Sequence, residues 1–185
     1  MASTSDFRNG MVLDIDGVLM TIVEFQHVKP GKGGAFVRTK LKNVLSGSVI
    51  DRTYRAGEKF NEIRLDYTPL QYLYKDGPLY YFMDSKTYEQ FPVSGEVIGE
   101  QVKYLKENID VTGVFHEDTL LLVELPFFID LKVVETDPGL RGDTVSGATK
   151  PARLESGATV NVPLFVNVGD KIKIDRRTNA YLERA

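Results

Sequence analysis

Apolar and polar residues alternate along most of the chain in short runs, separated by glycine, proline, asparagine and aspartate. A period of two predicts strands that bury one face and expose the other. The clearest case spans 18–44. Val18 to Val28 is rich in β-branched and aromatic residues, Ala35 to Val44 alternates cleanly, and Pro30-Gly31 and Gly33-Gly34 between them are turn residues. The pattern predicts a β-hairpin with Lys32 at its tip. On the second strand, Phe36, Arg38, Lys40 and Lys42 share one face and Ala35, Val37, Thr39 and Leu41 the other, so one face is cationic and the other is fit for burial. Glycines 31, 33 and 34 strip every Cβ from around Lys32, which frees the backbone for positive φ and lets a bulky partner approach. By local chemistry alone, a presenting tip and a plain flexible turn with a solvated lysine fit equally well. No Gly-Lys-Ser/Thr follows a strand and opens a helix, so this is not a phosphate-binding loop of the nucleotide-hydrolase kind.

The same reading runs through the rest of the chain. Asn9-Gly10 and Asp16-Gly17 break the first strands, and Val49 to Tyr54 adds another, giving about five strands in the first 64 residues, the size of an SH3-like barrel. Asp14 to Gly17 faintly resembles a calcium loop, but Phe25 stands where the bidentate glutamate belongs. A second hairpin is predicted from Leu70 to Met83, turning at Lys75-Asp76-Gly77-Pro78. Its aromatic residues Tyr67, Tyr72, Tyr74, Tyr80, Tyr81 and Phe82 fit either a base-stacking surface or core packing, and the lack of interleaved basic residues favours packing. Gly99 to Asn108 is predicted as a helix with Ile98, Val102 and Leu105 inward and Lys103, Lys106 and Glu107 outward. Strands follow at 111–115, 120–125 and 127–136, then a long polar loop from Leu140 to Pro151. Arg141-Gly142-Asp143 in that loop reads as a turn rather than an adhesion motif. Strands at 158–166 and 171–175, with a turn at Arg177-Thr178-Asn179 leading to Tyr181, predict a closed Greek-key barrel of the OB type. The expected architecture is therefore all-β: three consecutive small barrels, at 1–64, 65–127 and 128–185.

Composition narrows the chemistry. Cysteine is absent, which excludes disulfides and thiolate metal sites and fits a reducing compartment. With only His27 and His116, a zinc centre is not expected. No stretch approaches the roughly 18 apolar residues of a membrane span, and no basic segment with an apolar run opens the chain, so a cytoplasmic protein is expected. No nucleophile elbow or announced carboxylate pair is present, so neither an enzyme nor a cofactor is expected. The net charge of −3 is unevenly distributed. Residues 1–64 carry ten Lys/Arg against seven Asp/Glu, residues 65–128 four against eleven, and residues 129–185 nine against eight. The segment with the lysine hairpin is thus basic enough to face phosphates, whatever the average says.

Several runs resemble bacterial elongation factor P: Lys29-Pro30-Gly31-Lys32-Gly33-Gly34-Ala35-Phe36, the basic strand 37–43, Tyr88-Glu89-Gln90, and a C-terminal series from Gly142-Asp143 through Lys150-Pro151-Ala152 and Leu154-Glu155-Ser156-Gly157 to Val160 to Val166 and Gly169. The resemblance spans essentially the whole chain. It implies an SH3-like, or KOW-like, N-terminal domain and two OB-folds in an L-shaped, tRNA-like arrangement. It further implies a monomer that binds the 70S ribosome between the peptidyl-tRNA and exit sites and relieves stalling at consecutive prolines. Lys32 matches the family's tip residue, which reaches the CCA end of peptidyl-tRNA and is enzymatically extended in many members, so a Lys32-modifying enzyme is an expected partner. Lys29, Pro30, Gly31, Gly33 and Gly34 would shape the tip.

Strand periodicity adds Arg38, Lys40 and Lys42 as expected RNA contacts, and the family's C-terminal pattern adds Arg177, Tyr181 and Arg184. The alternative from another class is a general single-strand RNA-binding or chaperone protein on OB-folds, which predicts salt-sensitive binding to free RNA. The acidic middle segment argues against it.

Overall fold

The computed structural model describes residues 1–139 and 147–185. The Arg141-Gly142-Asp143 motif lies outside the described residues. Strands dominate, as the alternation predicts, and the chain divides into two compact units: Met1–Tyr67 with Val114–Leu121, and Thr68–Gly113 with Leu122–Ala185.

The N-terminal strands are β1 (Ala2–Ser3), β2 (Val12–Ile15), β3 (Val18–Val28), β4 (Phe36–Asn43), β5 (Val49–Arg55) and β6 (Lys59–Ile63). They form one antiparallel sheet in the order β1-β6-β2-β3-β4-β5. Asp16 and Gly17 join β2 to β3 with φ of 55° and 82°, and Ile15 pairs with Val18. Positive φ at both central residues matches the right-handed strand twist, which is why Asp-Gly marks this turn so plainly. The sheet curls over Phe7, Leu13, Ile22, Val37, Leu41 and Tyr54. Phe7 meets Tyr54 edge-on at 6.4 Å and Phe60 at 5.5 Å.

The middle strands are β7 (Asp66–Asp76), β8 (Leu79–Asp84), β9 (Gln90–Ser94), β10 (Asp110–His116) and β11 (Thr119–Glu124), in the sheet order β11-β10-β7-β8-β9. Tyr72, Tyr80 and Phe82 are buried, with Tyr72 6.1 and 5.4 Å from the other two rings. Tyr74 and Tyr81 stack on each other at 4.8 Å, and Tyr67 is exposed. The aromatic run is thus mainly packing.

The expected helix over Gly99–Asn108 is displaced. An α-helix, α1 (Gly95–Ile98), comes first, with the Ser94 hydroxyl accepting from Glu96 N, and a 3₁₀ turn follows at Gly99–Tyr104. Gly99, at φ 63°, breaks the helix between them. The chain extends at Leu105 so that Leu105 and Ile109 reach the core, and Lys106, expected to point outward, donates to the Asp130 carbonyl at 2.6 Å.

The last strands are β12 (Phe128–Thr136), β13 (Thr149–Leu154), β14 (Thr159–Pro163), β15 (Lys171–Asp175) and β16 (Ala180–Arg184), closed as β12-β13-β14-β16-β15. A parallel contact, Asn161 with Ala180, seals the barrel around Leu131, Val133, Leu154, Val162, Ile172 and Ile174. The polar loop expected up to Pro151 ends earlier. Lys150 occupies an inward position on β13 and is buried, with its ammonium donating to the Asp137 carbonyl at 2.6 Å. A buried lysine needs such an acceptor, and a lysine in a polar run gives no sign of having one.

Three polar side chains, Lys106, Arg176 and Tyr104, bind the middle segment to this barrel, and Gln101 braces the connection between them. Besides Lys106, Arg176 donates to the carbonyls of Leu125 at 2.9 Å and Pro126 at 3.0 Å. The Gln101 side-chain oxygen accepts from Leu125 N at 3.3 Å, and the Tyr104 hydroxyl donates to Asn179 Oδ1 at 2.8 Å.

Candidate functional site

The expected hairpin is present. β3 and β4 pair from Met20 with Asn43 up to Val28 with Phe36, leaving loop 29–35 as the tip. Lys29, Pro30, Gly31, Lys32, Gly33 and Gly34 are all exposed. Only Gly33 among the tip glycines needs positive φ, at 106°, while a Cβ at Gly31 or Gly34 would meet open space. Gly33 therefore sets the backbone path, and the other two keep the surroundings of Lys32 bare. Behind the tip, Ala56 N donates to the Ala35 carbonyl at 3.0 Å and fixes the loop's base to the end of β5. The Lys32 ammonium has no hydrogen-bond or ion-pair partner among the described residues.

The faces of β4 fall as the alternation requires. Val37 and Leu41 are fully buried, and Thr39 is buried with its hydroxyl donating to the Arg52 carbonyl at 2.8 Å. Arg38, Lys40 and Lys42 are exposed on the opposite face, but their neighbours differ. Arg38 lies between Gln26 and Thr53, with its guanidinium 5.6 Å from the Phe36 ring. Lys40 lies between Glu24 and Asp51, and its ammonium is 3.6 Å from Glu24 Oε2. Lys42 lies between Thr21 and Val49. Strand periodicity finds the cationic face, but only the register shows that Lys40 shares its charge with two carboxylates. A hollow of about 410 Å³ opens on this face, lined by Glu24, Gln26, Arg38, Lys40, Asp51 and Thr53 among others.

Arg177, Tyr181 and Arg184 belong to the other unit and do not form one cluster. Arg177 sits in the turn after β15, while Arg184 pairs with Ile172 at the other end of the β15–β16 hairpin. Each arginine is engaged at home. Arg177 chelates Asp175 and lies 4.6 Å from the Phe127 ring. Its hydrogen bond to Asp175 holds that carboxyl below its ordinary value, with desolvation opposing. Arg184 reaches the Phe165 carbonyl at 3.4 Å and Asp170 at 3.5 Å. Tyr181 is half-buried opposite Ile174. The neighbours of Arg177 are not legible in the sequence, because the pairing of β12 with β15 brings Phe127 to it and a turn folds it back onto Asp175.

Among the described residues, no group of three or more His, Asp or Glu side chains is arranged to hold a metal ion, and no helix is long and apolar enough to cross a membrane.

Comparison with known proteins assigns all three parts of the chain. The family model described as the elongation factor P KOW-like domain matches residues 3–60, the elongation factor P OB domain matches 65–123, and the elongation factor P C-terminal domain matches 123–184. The chain is 54% identical over 184 residues to elongation factor P of Caldanaerobacter subterraneus subsp. tengcongensis, covering all of both chains. It is 58% identical to elongation factor P of Rhodococcus erythropolis and 55% to that of Mycobacterium marinum, each over 184 residues, covering all of this chain and 98% of the relative. A solved structure of a translation initiation factor eif-5a family protein from Naegleria fowleri shares the fold, with a TM-score of 0.53 and 12% identity over 67% of this chain and 96% of that one. The chain belongs to the elongation factor P family of translation elongation factors.

Proposed function

We propose that the protein binds the ribosome between the peptidyl-tRNA and exit sites, presents Lys32 to the CCA end of peptidyl-tRNA, and so promotes peptide-bond formation at consecutive prolines. The observation that carries this reading is the exposed Lys32 ammonium, unpartnered among the described residues, on a glycine-cleared tip backed by a strand whose outward face is cationic. Proline is a poor donor and acceptor of the peptidyl group. A factor that holds the reacting end in a productive geometry lowers the barrier without itself making or breaking a bond, and about 1.4 kcal/mol is a tenfold gain in rate. Lys32 supplies the contact, and its freedom from partners also leaves it open to a modifying enzyme. Lys29, Pro30, Gly31, Gly33 and Gly34 set the tip's shape. Arg38, Lys40 and Lys42 face the RNA backbone, where cations position a strand without reading its sequence. Arg177, Tyr181 and Arg184 add weaker contacts, since carboxylate partners already take part of each arginine's donor capacity. Functionally the chain works as three segments, divided near residues 64 and 127, in the cytoplasm.

The test is Lys32→Ala in a reconstituted translation assay on a message with a run of proline codons. Relief of stalling is expected to vanish while the circular dichroism spectrum is unchanged. Full retained activity would remove the tip from the mechanism.

A further inference from the structure

The outward face of β3, β4 and β5 carries one more cation than the alternation of β4 reveals. Arg55, the last residue of β5, pairs with Phe36 and so lies beside the root of the lysine tip. It is exposed, and its side chain makes no hydrogen bond or ion pair among the described residues. The nearest carboxylate in sequence, Glu58, is turned to the main chain, accepting from Arg55 N at 3.1 Å. A hollow of about 560 Å³ separates this arginine from the tip, lined by Gly34, Ala35, Phe36, Arg55 and Ala56. A Cβ at Gly34 would meet nothing within 4 Å, so the hollow stays open on the tip side.

The register turns these cations into a gradient. Arg38 pairs with Thr53 and Phe36 with Arg55, so the two arginines stand diagonally on neighbouring strands, roughly 7–8 Å apart with their Cβ atoms somewhat closer. That spacing is on the scale of successive phosphates along an RNA strand. Neither arginine has a carboxylate opposite it. The acids of this face, Glu24 and Asp51, both flank Lys40, farther from the tip. An anionic strand laid along the sheet is therefore drawn to the tip end.

We propose that Arg55 and Arg38 form a two-arginine phosphate grip on the RNA strand whose end meets Lys32, and that Lys40, flanked by two carboxylates, adds less to RNA binding than either arginine. The proposal rests on the reading of Lys32 as a residue presented to a tRNA end. Guanidinium suits the role because its planar fork offers paired donors to phosphate oxygens, which an ammonium does not. The grip holds the strand and leaves the chemical step to Lys32, so it governs affinity more than maximal rate.

The experiment uses the full-length protein in the proline-stalling assay, with the half-saturating factor concentration measured across a salt series. Arg55→Ala is expected to raise that concentration about five- to tenfold and to lower the salt slope by about 0.7, the value for one lost single-strand phosphate contact. The maximal rate should stay at the wild-type value, and Arg55→Lys should lose less than Arg55→Ala. Lys40→Ala should raise that concentration less than Arg55→Ala does, because Glu24 already offsets part of its charge. Arg55→Ala behaving as wild type, or Lys40→Ala matching it, would overturn the grip. A lowered melting temperature in Arg55→Ala would assign Arg55 a structural role and overturn it as well. Failure of the presentation reading shows elsewhere, as an undiminished maximal rate in Lys32→Ala.

Discussion

Arg177 and Asp175 are joined by two parallel charge-assisted hydrogen bonds, Nε to Oδ1 at 3.0 Å and Nη2 to Oδ2 at 2.7 Å, beneath the rings of Phe127 and Phe128. The Arg177 side chain is the main cause that holds the Asp175 carboxyl below its ordinary value of 3.8. A carboxyl depressed in the folded state adds stability above its unfolded value, and that stability is lost as the pH falls through the folded value. Asp175→Asn is therefore expected to lower the melting temperature by a few degrees at neutral pH. Melting curves of the two proteins should converge as the pH drops below 3.8. A difference independent of pH would mean that the carboxylate charge is not what Arg177 uses.

The Tyr104 hydroxyl reaches Asn179 Oδ1 across 2.8 Å, from the middle segment to the last barrel. Tyr104→Phe keeps the buried ring and removes this bond, which should cost about 0.5–1.5 kcal/mol in urea unfolding. A change inside experimental error would show that solvent replaces the bond without loss.

Gly33 is the tip glycine with a φ of 106°. Gly33→Ala strains the backbone by roughly 1–2 kcal/mol, enough to deplete the presenting conformation about fivefold or more. Relief of proline stalling should fall accordingly, with no change in overall melting. Gly31→Ala, where a Cβ meets open space, should be milder in the same assay.

Glu24 holds its carboxylate 3.6 Å from the Lys40 ammonium. Glu24→Gln removes one of the two acids flanking that lysine and raises the positive charge of the face. The half-saturating factor concentration should fall about twofold at low salt, with the gain fading as salt screens it. An unchanged concentration would place Lys40 out of reach of any RNA.

What the amino-acid order reveals here is mostly what a single strand determines. The Asp16-Gly17 turn, the inward Val37, Thr39 and Leu41, and the Lys32 tip follow from local rules of turn chemistry and a period of two. Contacts made by register do not. That Lys40 is flanked by carboxylates while Arg38 is not depends on Glu24 and Asp51 lying opposite one and not the other. The position of Arg55 beside the tip depends on where β5 begins its pairing. The helix lies at Gly95–Ile98, ahead of its apolar spacing, for a related reason. Its apolar spacing is real, but Gly99 takes φ 63° and Leu105 turns out of the helix into the core, so packing overrides local preference. Lys150 is the extreme case, since nothing in a run of polar residues marks one lysine as buried under a carbonyl.

The ties that hold the middle sheet to the last barrel have an unequal address. Lys106 and Arg176 reach the carbonyls of Asp130, Leu125 and Pro126, and Gln101 holds the connection itself by receiving the Leu125 N–H, so one partner in each is main chain. Any residue supplies a carbonyl, and any but proline an N–H, whatever its side chain. Across diverging relatives, the donors at 106 and 176 and the acceptor at 101 should resist replacement, while positions 126 and 130 drift without a compensating change opposite them. Correlated substitution, the usual trace of two touching residues, should therefore be faint at these main-chain ties and confined to the side-chain pairs Tyr104 with Asn179 and Lys106 with Glu155.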